Sequence, residues 1–319
     1  MTMRSRLKTA LVLASLLGAG NALADEPAAA PAKPVFAQDS MNVYRRFSPE
    51  IRDRMIEFYN QVLGLPSLNP INLGRGQQML LYKVGTGQVK LASGLKEDRK
   101  YHPAGLNEAT GIREYTFYFP DEAALVARFK AAGYPAPAFK DFGGGRRAAL
   151  AQDPGGFNVE MIIVPGAPPD TYGRVDVGIN VSDLKRSAAF YRDFCNLDEL
   201  PPEKDALLGV TKHPFRHGTT TIELWSAGHA LPADTGSAGI QYVIHNVREV
   251  DALAKAKDVT VETPLGGVAG FNILTVWLND PDGATNYFYQ LLPRAPGAGG
   301  APATLAQGGP AQAAPGPSR

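Results

Sequence analysis

The chain has 319 residues, 44% of them apolar, and its 32 Lys and Arg against 31 Asp and Glu leave a net charge of +1. That length suits two ordinary domains, and the charge balance lacks the basic bias of a nucleic-acid binder. With Cys195 as its one cysteine, the chain cannot form an intramolecular disulfide.

The N-terminal stretch "MTMRSRLKTALVLASLLGAGNALADEP" places Arg4, Arg6 and Lys8 before an apolar run and then small residues at Ala22-Leu23-Ala24. This is the pattern of a secretory signal peptide cut near Ala24, so a periplasmic or secreted location is expected. No stable membrane anchor is expected, because the apolar run is short for a span of about 20 residues and no later segment is long enough. Residues 25–40 form an Ala/Pro-rich linker and 294–319 a Gly/Ala/Pro tail, neither with the composition to bury a core. Ordered structure is expected from about Met41 to Pro293.

Strand-like "NVYRRF" leads into an amphipathic helix, "IRDRMIEFYNQVLGLP" from Ile51, followed by alternating runs that end in "GQVKLAS". A second strand and helix, "GIREYTFYFPDEAALVARFKAAGY", lead through the glycine-rich "DFGGGRRA" to "DPGGFNVEMIIVP". That glycine-rich stretch lacks the Lys-Ser/Thr ending of a phosphate loop and reads as a lip beside a cavity. The pattern then repeats. "RVDVGINV" precedes the helix "LKRSAAFYRDFCNLDELPP" and runs ending in "TTTIELWS"; "GIQYVIHNVREVDALAKAKDV" leads to "DPDGATNYFYQLLP". Aligning Phe58-Tyr59 with Phe190-Tyr191 sets Gly64 on Asn196, the residue types that best tolerate the left-handed turn ending a helix. Ser48 and Ser182-Asp183 are candidate caps, and Cys195 falls where a buried helix residue is expected.

"RVDVGINVSDLKRSAAFYRDF", "TTIELW", "DPGGFNVEM" and "DPDGATNYF" together resemble the vicinal oxygen chelate superfamily, which includes glyoxalase I, bleomycin-resistance proteins and extradiol dioxygenases. The resemblance covers about Met41 to Pro293. It implies an α+β fold of four βαβββ modules, two in a domain spanning 41–167 and two in a domain spanning 172–293, with curved sheets around a cavity and helices outside. It does not imply one reaction, since this fold carries isomerases, lyases, dioxygenases and non-catalytic sequestering proteins.

In that family a metal is held by inward residues on the first and last strands of the modules. Carried over by position, the first module offers Tyr44 and Lys90, the second Glu114 and Glu160, the third Asp176 and Glu223, the fourth Tyr242 and Tyr287. All four carboxylates fall in the two central modules. If modules pair in chain order, each cavity receives two of them; if the central modules pair with each other, one cavity receives all four. Both pairings are open at this point. Carboxylates that converge must share protons or bind a positive ion. A metal set of Glu114, Glu160, Asp176 and Glu223 suits Mg²⁺, Mn²⁺ or Ca²⁺, with Zn²⁺, Ni²⁺ or Fe²⁺ as further candidates, and no nucleotide cofactor is indicated.

The resulting expectation is a metal-dependent lyase or isomerase acting on a small oxygen-rich molecule. Asp176 or His217 would move the proton, His217 because it shares the face of Glu223 if their strand runs unbroken. Tyr118, Tyr242 and Tyr287 would line the substrate site. The alternatives are a non-catalytic protein that holds a small ligand between tyrosines and an extradiol-type dioxygenase. The expected partner is a small molecule, not nucleic acid.

Overall fold

A computed structural model describes residues 32–293 except 75, 76 and 104. The expected signal peptide and C-terminal tail lie outside the described residues. The first module contains β1 (Asn42–Phe47), α1 (Arg52–Ile56) continued by a wider π-helical turn over Glu57–Val62, β2 (Ser67–Gly74), β3 (Gln77–Val84) and β4 (Gly87–Ser93). The second contains β5 (Gly111–Phe119), α2 (Glu122–Ala131), β6 (Lys140–Gly143), β7 (Arg146–Gln152) and β8 (Asn158–Ile163). The third has β9 (Val175–Asn180), α3 (Leu184–Ala189) with a π-helical turn over Phe190–Phe194, β10 (Asp198–Glu199), β11 (Glu203–Asp205), β12 (Val210–His217) and β13 (Thr220–Trp225). The fourth has β14 (Ala238–Val243), α4 (Val247–Ala256), β15 (Val261–Gly267), β16 (Ile273–Asn279) and β17 (Thr285–Leu291).

Two sheets result, and they do not follow chain order. An outer sheet, β15-β16-β17-β14-β1-β4-β3-β2, joins the fourth module to the first through antiparallel β14 and β1. An inner sheet, β10-β12-β13-β9-β5-β8-β7-β6 with β11 beside β12, joins the third module to the second through β9 and β5. Segments 41–167 and 172–293 therefore each contribute one module to each sheet. The helices, in contrast, pack within those segments. Phe58 meets Phe129 of α2 edge-on at 6.0 Å, and Phe194 meets Phe288 of β17 at 6.1 Å.

The repeated sequence signatures meet in space. Tyr59, on the first π-helical turn, donates its hydroxyl to Asp153 of the first Asp-Pro-Gly turn at 3.1 Å; Tyr191 donates to Asp280 of the second at 3.0 Å. Each aspartate also receives backbone N–H groups of its own turn, Phe157 at 3.0 Å and Ala284 at 2.8 Å, so a buried carboxylate knits helix to final strand. Gly64 and Asn196 end their helices at φ 76° and 62°. Asp183 caps α3 through the Arg186 N–H, whereas the Ser48 hydroxyl turns to the Glu50 side chain and caps no backbone group. Cys195 is fully buried.

Ordered packing begins before Met41. The Phe36 ring lies 3.9 Å from the His217 ring, and backbone bonds tie Ala37 to Val243 and Thr219 to Asp39. One aromatic residue gives the end of the expected linker apolar surface to bury. Among the described residues no helix is long and apolar enough to cross a membrane.

Tyr191→Phe removes one neutral-to-charged hydrogen bond and should cost about 1–2 kcal/mol in urea unfolding. Asp280→Ala also strands the Tyr191 hydroxyl and two backbone N–H groups, and should cost about 3 kcal/mol or more.

Candidate functional site

Strand register decides which side chains share the cavity face of the inner sheet. Thr116 of β5 stands opposite Glu160 of β8 and Asp176 of β9, and Glu114 stands opposite Gly178, which is itself opposite Glu223 of β13. Side chains alternate along each strand, so Glu114, Glu160, Asp176 and Glu223 all point to one face. Pairing of the central modules is what collects them. Gly178 makes room for the approach: a Cβ there would stand 2.5 Å from the Glu114 side chain and 2.8 Å from the Trp225 ring.

Glu114, Glu160 and Glu223 each bring an oxygen within 4.8 Å of the other two. Between them sits a cation the sequence analysis did not single out. The Lys212 ammonium on β12 lies 2.9 Å from Glu114, 2.8 Å from Glu223, 3.4 Å from Glu160 and 2.8 Å from Asp205. Burial works against its charge, but the carboxylates, Glu114 foremost, outweigh burial and hold the ammonium well above its usual range. Burial also raises the Glu114 carboxyl, with Lys212 opposing. For Glu160, burial and then the Glu114 charge push the carboxyl up to about 8. One ammonium cannot satisfy four acids: Glu114 Oε2 and Glu160 Oε1 are buried without a hydrogen-bond partner.

Asp176 stands apart from this cluster. Its Oδ1 accepts the Thr221 N–H at 2.8 Å, and its Oδ2 accepts from the Tyr118 hydroxyl and the Arg174 guanidinium, both at 2.6 Å. Both oxygens are thus committed, and the structure gives Asp176 the task of fixing Tyr118 and Arg174 rather than a place in the glutamate group.

Glu160, Glu223, Lys212 and Asp205 of the cluster line a cavity of about 420 Å³, with Glu114 fully buried behind them, and Tyr118, Arg146, Arg174, Glu203, Lys204 and Arg216 line it too. The glycine-rich stretch after Asp141 is the turn of the β6–β7 hairpin, which brings Phe142 and Arg146 to this cavity. Lys212 and Asp205 were the residues missed. The available signal was the alternation of Lys212, Pro214 and Arg216 against His213, Phe215 and His217, in which buried Phe215 marks the opposite face.

Three expected site residues lie elsewhere. His217 ends β12 on the face away from Lys212, between Phe36 and Tyr242, and burial pushes its imidazole down to about 4. The strand does not run unbroken to Glu223: it turns at Gly218, φ 54°, which resets the alternation. Tyr242 is fully buried on the helix face, stacked on Phe288 at 4.7 Å with its hydroxyl donating to Asn286. Its neighbour Gln241 takes the cavity face instead, beside Tyr287 in the outer sheet. Tyr44, Lys90 and Tyr287 line that second cavity, and Tyr118 lines the first.

The sequence profile of the Glyoxalase/Bleomycin resistance protein/Dioxygenase superfamily matches residues 52–161 and 173–288, which is one match over each pair of modules. The chain belongs to this superfamily. Glyoxalase I from Zea mays is similar in fold at a TM-score of 0.60 and 20% identity, over 79% of this chain and 92% of that one. A candidate dioxygenase from Bacillus subtilis is similar at a TM-score of 0.58 and 12% identity, over 82% and 87%. A search of curated proteins found no match. Superfamily membership accounts for the four modules, and the arrangement of Lys212 among the acids is read from this chain alone.

Lys212→Met, in the presence of chelator, leaves buried carboxylates without their cation. It should cost about 3–5 kcal/mol in urea unfolding near neutral pH. The loss should shrink on acidification, because protonating the carboxylates removes the charge that the missing ammonium had balanced.

Proposed function

We propose that the chain is an exported, metal-dependent enzyme of this superfamily, of lyase or isomerase type, acting in the inner cavity on a small, oxygen-rich, anionic substrate. The observation that carries this reading is the convergence of three glutamates, Glu160 and Glu223 lining the cavity and Glu114 behind them, with Glu114 Oε2 and Glu160 Oε1 left unpartnered. Two oxygens bound to one hard cation at about 2.0–2.6 Å stand no more than roughly 4–5 Å apart, and the glutamates meet that limit. The all-oxygen donor set suits Mg²⁺, Mn²⁺ or Ca²⁺.

Glu114 and Glu223, the glutamates nearest the ammonium, would hold the ion, which supplies Lewis-acid stabilisation of charge developing on a substrate oxygen. Glu160 is the group placed to move a proton. It lines the cavity, burial and the Glu114 charge push its carboxyl up to about 8, and Oε1 is uncommitted. Arg174, held by Asp176 and stacked 4.2 Å over the Tyr118 ring, presents a fixed guanidinium to a substrate carboxylate. Export is supported by the basic, apolar and small-residue order of the first 24 residues; mature protein beginning at Asp25 is the expected N-terminal sequence.

A second reading rests on Lys212 itself. If its ammonium is the permanent cation of the cluster, the site is metal-free and the cavity binds an anion without chemistry. Elemental analysis after chelation and dialysis against Mn²⁺ separates the two. The enzyme reading predicts close to one Mn²⁺ per chain, lost in Glu223→Ala and kept in Glu160→Gln, and recovery of Lys212→Met stability on adding Mn²⁺. Wild-type protein that takes up no Mn²⁺, with no recovery of the variant, would contradict it.

A further inference from the structure

The outer sheet offers a cavity on its own open face, built from different chemistry. Tyr44 of β1 stands opposite Lys90 of β4, and Asn42, two residues away on the same face, stands opposite Gln241 of β14, which in turn stands opposite Tyr287 of β17. Gly239 permits this crowding, since any side chain there would run into the Tyr44 ring. Its space is about 180 Å³, walled by Ile71, Met79, Phe271, Trp277, Tyr287 and Tyr289. An apolar cavity of about 150 Å³ holds one benzene molecule, so this one has the size for a single ring with a small substituent. No Asp or Glu is among the described residues that line it.

Two polar groups point into this apolar space without partners. Lys90 is 2% exposed, and among the described residues its ammonium has neither a hydrogen bond nor an ion pair, only the face of the Tyr289 ring at 5.5 Å. Gln241 is 6% exposed, and its Oε1 is buried without a hydrogen-bond partner. A buried ammonium in an aromatic cavity without a counter-ion is a costly arrangement, relieved by losing the proton or by taking up an anion.

We infer that the outer cavity is a second ligand site, which takes a single-ring aromatic carboxylate with its carboxylate on Lys90 and its ring among Trp277, Tyr287 and Tyr289. Arg46 stands at the edge of the same cavity and adds positive potential. Glu262, the nearby acid on β15, is already paired with Lys96 at 3.4 Å and Arg99 at 3.3 Å and leaves the Lys90 ammonium to the incoming anion. The facing tyrosines, Tyr44 and Tyr289, are held neutral by burial, at about 12 and higher still.

Proton linkage gives this site a signature. Burial pushes the Lys90 ammonium of the empty site down to about 7, and a bound carboxylate raises it again. Benzoate stays anionic from about pH 6 to about pH 9, so its affinity should be level below pH 7 and fall about tenfold per unit above it. Near pH 8 each binding event should take up close to one proton.

The test is calorimetric titration of the full chain with benzoate, and with benzamide as the neutral isostere, across that range and in buffers of different ionisation enthalpy. Benzoate should bind one per chain with the stated pH dependence. Lys90→Met, which replaces the amine by an apolar chain of similar reach, should weaken benzoate at least about tenfold and spare benzamide. Benzoate affinity that is indifferent to pH, or retained in Lys90→Met, would overturn the assignment, as would wild-type protein that binds neither probe. The proton-uptake measurement uses wild-type protein only and stands if the variant fails to fold.

Discussion

Four carboxylates cannot be buried on one sheet face without positive charge among them, and that requirement governs the inner half of this protein. Glu114, Glu160, Glu223 and Asp205 surround Lys212 at ion-pair distance, on strands supplied by two modules that are neighbours in the chain but belong to different helix-packed segments. The cross-pairing of modules is therefore a condition of the site. If the modules had paired in chain order, Lys212 would have stood without Glu114 and Glu160, and the cluster would not have formed. One ammonium leaves the group short of positive charge, and the unpartnered oxygens of Glu114 and Glu160 show where the shortfall is felt.

The outer sheet solves the same spatial problem with other residues. Its open face carries Tyr44, Lys90, Gln241, Tyr287 and Tyr289 where the inner sheet carries acids, and its cavity is smaller and mostly apolar. Two sites of opposite character thus stand on one repeated scaffold. The inner one gathers carboxylates around one lysine, with arginines in the same cavity lining; the outer one hides a lone amine among aromatic rings. The buried Tyr-Asp contacts, Tyr59 with Asp153 and Tyr191 with Asp280, recur in both halves because they hold helix to strand whatever the cavity contains.

The four modules, the left-handed helix ends at Gly64 and Asn196 and the buried Cys195 were legible in the sequence, because turn chemistry and repeated spacing are local signals; the inward placement of Glu114, Glu160 and Glu223 came from the family resemblance carried over by position. Tyr242 was not legible. Both faces of β14 are buried, so its alternation carries no polar-to-apolar contrast to fix which face is which. His217 depended on a strand running on through Gly218, where the chain turns instead. Lys212 was hidden by its company, since a lysine between threonine and histidine in a strand containing proline reads as solvated surface. Its role follows only from the register that lays β12 beside β13. Phe36 was overlooked inside an Ala/Pro-rich stretch whose average composition masks one anchoring ring.

The most direct test of the central claim, that the inner carboxylate cluster is a cation site shared by the two central modules, is anomalous diffraction from crystals of the protein soaked in Mn²⁺. The account predicts one manganese peak bounded by Glu114 and Glu223, with the Lys212 ammonium moved from its present position and no peak on the outer sheet. Absence of a peak at the glutamates, with Lys212 still in ion-pair contact with all four acids, would contradict it and leave Lys212 as the only cation the site uses.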